Sequence, residues 1–129
     1  MVEVLKLHHV AINITEIERS REFYGGFLGL KEIERPNFPF KVVWYDLGEG
    51  RQLHLMLVSD SSTLRGTTDV VPNHGHFALR VKSYKNALQT VKEAGIPHVA
   101  TPDSPAPWPQ LHISDPDGNI IELNAERLD

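Results

Sequence analysis

The 129-residue chain contains no cysteine. That absence removes disulfides, thiolate metal sites and cysteine nucleophiles together. No apolar run approaches the ~20 residues that cross a bilayer. The opening Met1-Val2-Glu3-Val4-Leu5-Lys6-Leu7-His8-His9 carries an acid and two histidines where a secretory leader needs an unbroken apolar core. Lysine and arginine are scattered and the net charge is −4, so the basic footprint of a nucleic-acid binder is missing. There is no glycine-rich phosphate loop, no Ser-His-Asp order and no GxSxG elbow. The expectation is a cytoplasmic protein with neither nucleic acid nor membrane as a partner.

What remains is an ordinary globular composition, 40% hydrophobic and 23% charged. The length suits one domain, large enough to bury roughly two thirds of its unfolded surface. The domain is expected to span 1–129 as two similar halves, about 5–58 and 75–125, joined by a polar linker at about 59–74.

The halves are legible in their periodicity. Residues 5–14 alternate with a period of two, which predicts a half-buried strand. Thr15-Glu16-Ile17-Glu18 reads as a capping box with Thr15 as N-cap. The helix after it is expected to bury Ile17, Ser20, Phe23, Tyr24, Phe27 and Leu28 and to end at Gly29, with Gly25 and Gly26 weakening its last turn. Strands are expected near 30–35, 41–48 and 51–58. The second half repeats the order: a strand at 75–82, and a helix capped by Ser83 that buries Ala87, Leu88, Val91 and Ala94 and stops at Gly95. Strands follow near 97–100, 109–114 and 119–125, the last two joined by the turn Asp115-Pro116-Asp117-Gly118-Asn119.

Four residues stand at matching places in the two halves. His9 opens the first half and His76 the second, 67 positions apart. His54 and Glu122 each sit in the closing apolar strand of a half, 68 positions apart. Strand parity puts apolar neighbours (Val10, Leu53, Leu55, Phe77, Ile121, Leu123) on the opposite face from these four. The ligand face carries the polar companions Asn13, Gln52, Arg80 and Asn124. Imidazole nitrogen and carboxylate oxygen suit one divalent ion of the manganese, iron, cobalt, nickel or zinc type. Such an ion acts as a Lewis acid, and Glu122 is the natural group to move a proton beside it.

The segments HHVAINI…REFYGGFLGL, QLHLM, GHFALRV and DPDGNIIELN resemble the vicinal oxygen chelate superfamily, which includes glyoxalase I, bleomycin and fosfomycin resistance proteins, methylmalonyl-CoA epimerase and extradiol dioxygenases. The resemblance runs over about 5–125. It implies an α+β fold of two βαβββ modules whose mixed sheets form a cupped, partly open barrel with the helices outside. It also implies that His9, rather than His8, is a metal ligand together with His54, His76 and Glu122, with Glu122 catalytic. A homodimer is expected, as is a small-molecule substrate that chelates the metal through adjacent oxygens. The ligand set of three histidines and one glutamate fits the superfamily without selecting a member: glyoxalase I typically has glutamate or glutamine near the position of His54. A lyase, isomerase or epimerase of lactoylglutathione lyase type leads. A drug-binding or thiol-transferring resistance protein and a non-haem iron dioxygenase are the alternatives.

Around this quartet, Asn13, Trp44, Arg80 and His112 are candidate pocket residues. Regular alternation sends one of Trp44 and Tyr45 toward the site, and parity leaves open which. Arg80 offers a partner for an acidic substrate group, or a solvated rim. His112 reads as a proton shuttle or as a partly exposed strand residue. His74 shares the parity of His76, as a support behind it or as an exposed linker residue.

Overall fold

The structure is a computed structural model, and it describes residues 1–58 and 65–129. The chain divides into two compact units, Met1–Ser61 and Ser62–Asp129. The expected linker at 59–74 falls partly outside the described residues. Among the described residues no helix is long and apolar enough to cross a membrane.

The first unit contains β1 (His9–Ile14), α1 (Ile17–Arg21) continuing into a π-helical turn (Glu22–Phe27), β2 (Lys31–Ile33), β3 (Val42–Gly48) and β4 (Arg51–Leu57). Its strands lie in the order β1-β4-β3-β2, with β1 parallel to β4 and the other pairs antiparallel. The second unit repeats the plan: β5 (His76–Arg80), α2 (Tyr84–Glu93), β6 (His98–Thr101), β7 (Gln110–Ser114) and β8 (Ile120–Asn124). Its order is β5-β8-β7-β6, with the same mixture of one parallel and two antiparallel pairs. Two four-stranded mixed sheets, each with one helical crossover, make the expected α+β duplication.

Alternation divides each sheet into an apolar and a polar face. In the first unit Val43, Tyr45, Leu53 and Leu55 are all buried, and register pairs Val43 with Leu55 and Tyr45 with Leu53. Tyr24 of the π-helical turn reaches Tyr45 at 6.3 Å between ring centroids. In the second unit Leu111, Ile113, Ile121 and Leu123 form the equivalent buried face. Helix α2 lies against β7 and β8, and its buried Tyr84 and Val91 require such an apolar surface. Each fully buried leucine or isoleucine contributes about 1.5–3 kcal/mol.

Several local expectations need correction. The first strand begins at His9, not at residue 5: its parallel ladder with β4 starts at the His9–Gln52 pair, and the Gln52 N–H donates to the His8 carbonyl oxygen at 3.1 Å. Leu5 and Leu7 are consequently exposed. Helix α1 has Glu16 in the N-cap place, with no side-chain cap. The capping box fails because its members have other partners: Thr15 Oγ1 accepts from Arg19 Nη2 at 3.0 Å, and Glu18 Oε1 accepts from Arg21 Nη1 at 2.7 Å. Gly25 and Gly26 lie in the π-helical turn, where a Cβ on Gly26 would meet nothing within 4 Å and one on Gly25 would make ordinary contact with the Tyr45 ring. Ala94 is exposed, since α2 ends at Glu93 and the chain then turns at Gly95, whose φ of +67° suits glycine. Gly29 takes the expected left-handed conformation at φ +70°. Ser83 is the α2 N-cap, accepting from the Asn86 N–H at 3.0 Å.

Candidate metal centre

In the second unit the polar sheet face brings three donors together. Register places His112 on β7 directly opposite Glu122 on β8. On the other side of β8, β5 sets His76 beside Ile120 and Ala78 beside Glu122, so His76 shares the Glu122 face. Glu122 Oε1 lies 3.4 Å from His112 Nε2 and 3.6 Å from His76 Nε2. One donor atom from each of the three lies within 4.8 Å of the others. His112 and Glu122 are buried, whereas His76 is exposed.

The protonation pattern follows from the partners. His76 Nδ1 is 2.8 Å from the His74 carbonyl oxygen. A carbonyl only accepts, so Nδ1 carries a hydrogen and donates it to that oxygen, and Nε2 is the nitrogen that faces Glu122. His74 is held in turn by Arg65, whose Nε donates to its Nδ1 at 2.9 Å and whose Nη1 donates to the Gly118 carbonyl at 2.7 Å. His74 therefore supports His76 through its backbone. Burial lowers the His112 pKa, His76 lowers it further, and Glu122 opposes the change. Nδ1 of His112 is buried without a hydrogen-bond partner.

Glu122 has further partners. Gln110 Nε2 donates to Oε1 at 2.8 Å, and Asn124 Nδ2 donates to Oε2. Arg80 Nε donates to Asn124 Oδ1 at 2.6 Å, and its guanidinium carbon stands 5.8 Å from the Trp108 ring centroid.

The first unit brings together the other two expected ligands. His9 and His54 share the polar face of β1 and β4, with ring centroids 4.3 Å apart and planes at 19°. Trp44 stacks on the opposite side of His54 at 4.1 Å and 6°. Of the two aromatics on β3, Trp44 thus shares the face of His54, and Tyr45 packs into the apolar core. Phe38 lies 6.0 Å from Trp44 and stacks on Phe40 at 4.9 Å. Gln52 Oε1 is 2.9 Å from His54 Nε2. That contact places the hydrogen on Nε2 and leaves Nδ1 as the donor atom. Burial lowers the His54 pKa to about 4, and His9 and then His8 add to the shift. His54 is therefore a neutral imidazole near pH 7, the form that binds a metal. Asn13, expected on the same face, pairs in register with Met56.

The donor chemistry fits a divalent ion. Bonds of about 2.0–2.2 Å to a shared ion place two ligand atoms roughly 3–3.5 Å apart; the 3.4 Å span from Glu122 Oε1 to His112 falls in that range and the 3.6 Å span to His76 lies just beyond it. His76 presents a free nitrogen whose ring is fixed from behind, the usual support for a ligating histidine. His112 is nearer to the carboxylate than its reading as a partly exposed strand residue allowed. Gln110 was not singled out from the sequence at all. The available signal was its parity: Gln110 alternates with His112 on one strand.

Two copies of a β-α-β-β-β unit, each with histidine on its polar sheet face, define the vicinal oxygen chelate architecture. The chain belongs to the Glyoxalase/Bleomycin resistance protein/Dioxygenase superfamily, whose family model matches residues 6–123. It is 27% identical over 125 residues to glyoxylase I 4 of Arabidopsis thaliana, covering 95% of this chain and 71% of that protein. It is 28% identical over 125 residues to lactoylglutathione lyase of Neisseria meningitidis serogroup A, covering 92% and 89%. A crystal structure of a glyoxalase/dioxygenase from Nostoc punctiforme shares the fold, with a TM-score of 0.76 at 24% identity over 97% of each chain.

Proposed function

We propose that the chain is a glyoxalase-type enzyme that depends on a divalent metal ion and transfers a proton on a small substrate with adjacent oxygen atoms. The observation that carries this reading is the His76–His112–Glu122 cluster, with its donor atoms within 4.8 Å of one another. His76 and Glu122 would hold the ion, and His9 and His54, from the same chain or from the second chain of a homodimer, would complete the set. When bound, the ion supplies Lewis acidity that polarises a substrate oxygen and acidifies the neighbouring C–H.

The chain's own residues supply the rest. Glu122 takes the proton from the carbon that bears the hydroxyl and returns it to the adjacent carbonyl carbon, while the hydroxyl proton passes to the former carbonyl oxygen, an isomerisation without net oxidation. His112, neutral and 3.4 Å from Oε1, stabilises the carboxyl group while it carries that proton. Trp44, fixed by its stack on His54, walls the pocket with Asn13. Arg80 uses Nε on Asn124, and its Nη1 stands 4.0 Å from Glu126 Oε1, an ion pair that an acidic substrate group would replace. Lactoylglutathione lyase activity leads because two relatives carry the names glyoxylase I and lactoylglutathione lyase.

The aromatic series Phe40, Phe38, Trp44, His54 and His9 favours a second reading, a protein that sequesters a planar drug between rings. One experiment separates the two. Metal content of the purified chain is measured first. The protein is then assayed with methylglyoxal and glutathione, with fosfomycin and thiols, and with a catechol. About one divalent ion per chain, lost in His76→Ala, with turnover abolished by chelator, is the expected result. Protein that holds no ion and is indifferent to chelation sinks the enzyme reading. Tight binding of bleomycin to the metal-stripped chain supports the second.

A further inference from the structure

Glu122 is gripped from two sides by primary amides, and a separate donor stands behind each. Gln110 Nε2 donates to Oε1 at 2.8 Å, and Asn124 Nδ2 donates to Oε2. Ser104 Oγ donates to Gln110 Oε1 at 2.7 Å, and Arg80 Nε donates to Asn124 Oδ1 at 2.6 Å. Chemistry fixes both amide orientations. A carboxylate accepts and a guanidinium donates, so each amide turns its NH2 to Glu122 and its oxygen away. The Ser104 hydroxyl also accepts the Ala106 N–H at 3.1 Å, which leaves its own hydrogen for Gln110.

The two branches have different origins. Asn124 and Arg80 are register partners on β8 and β5, so the sheet itself holds that branch. Ser104 comes from the proline-rich loop that precedes β7. Without its hydroxyl, the Gln110 oxygen loses that donor, and the amide is tethered to the site through its bond to Glu122. With it, Gln110 occupies one lone pair of Oε1 and Asn124 occupies Oε2. The remaining lone pair of Oε1 then faces the Nε2 atoms of His76 and His112, 3.6 and 3.4 Å away.

We propose that Ser104 and Gln110 are positioning residues: Ser104 orients the Gln110 amide, and Gln110 fixes Glu122 so that Oε1 is the oxygen offered to the imidazoles. Its consequence for metal affinity rests on the reading under Proposed function; the positioning itself does not.

Two measurements on the full chain test it. The first is hydrogen exchange of the Gln110 side-chain NH2 by NMR in the presence of chelator. One slowly exchanging proton is expected in the parent protein, faster exchange in Ser104→Ala, and recovery in Ser104→Thr, which retains the hydroxyl. The second is calorimetric titration with Zn2+. Gln110→Leu should weaken binding by about 10- to 100-fold, Ser104→Ala by several-fold, and Ser104→Thr should restore it. Ser104→Ala that matches the parent in amide exchange overturns the relay even where zinc binds normally. If the parent takes up no zinc, the metal reading falls, and amide exchange still decides for or against the relay. Ser104 is partly exposed on a loop, so its variants are expected to fold.

Discussion

His112 and Glu122 are register partners across β7 and β8, with Nε2 of one 3.4 Å from Oε1 of the other. Both are buried. A buried carboxylate needs compensation, and here it comes from the Gln110 and Asn124 amides, which donate to Oε1 and Oε2.

Replacing the carboxylate tests its chemistry directly. Glu122→Gln keeps the size but places an NH2 group against the Gln110 or Asn124 amide, and two donors then oppose each other. We expect kcat to fall by about 10²–10⁴ and stability to fall by about 1–3 kcal/mol. Steady-state kinetics and urea denaturation read the two effects separately. Unchanged turnover removes Glu122 from the proton path.

Acid sensitivity follows from the two buried histidines. His54 is lowered to about 4, chiefly by burial, and His112 is lowered for the same reason. Above the unfolded value near 6.5 both states are neutral and these groups contribute no pH dependence. As pH falls from about 6.5 toward 4, the unfolded chain binds protons that the folded chain resists, so stability is lost across that window. Urea midpoints of the metal-free protein should decline there, and His54→Gln should flatten the profile. A midpoint constant between pH 6.5 and 4 contradicts the expectation.

Trp44 packs flat on His54. Trp44→Phe keeps an aromatic surface against the imidazole, whereas Trp44→Ala removes it together with about 0.5–1.5 kcal/mol of ring contact beyond the buried area. The alanine variant should unfold at lower urea than the phenylalanine variant, and its His54 ring resonances should shift in NMR. Equal stability of the two variants would show that the stack contributes nothing.

Ser83 provides a control away from the site. Its hydroxyl accepts the Asn86 N–H at 3.0 Å, so Ser83→Ala should cost about 1 kcal/mol while leaving zinc affinity at the parental value. Calorimetric titration and thermal unfolding together check this. A loss of affinity would tie the α2 cap to the site.

The duplication, the alternation and the special turns were written in the chain. Period-two patterns located β5, β7 and β8 to within a residue or two. They also told the apolar face of Leu53, Leu55, Ile121 and Leu123 from the face of His54 and Glu122, because side-chain direction along a strand is a property of local backbone geometry. Ser83, Gly29 and Gly95 were legible for the same reason: a cap or a positive φ needs only its neighbours. Thr15 was misread because Arg19 and Arg21 engage the capping-box side chains, and such competition is not encoded in a four-residue pattern. What only the tertiary structure decided was which residue of one strand meets which residue of the next. Register set His112 against Glu122, Trp44 against His54, and Arg80 beside Asn124. The loop before β7 brought Ser104 to Gln110. These juxtapositions join residues of different elements, and their alignment is fixed by packing of the whole sheet and by loop geometry rather than by any local preference.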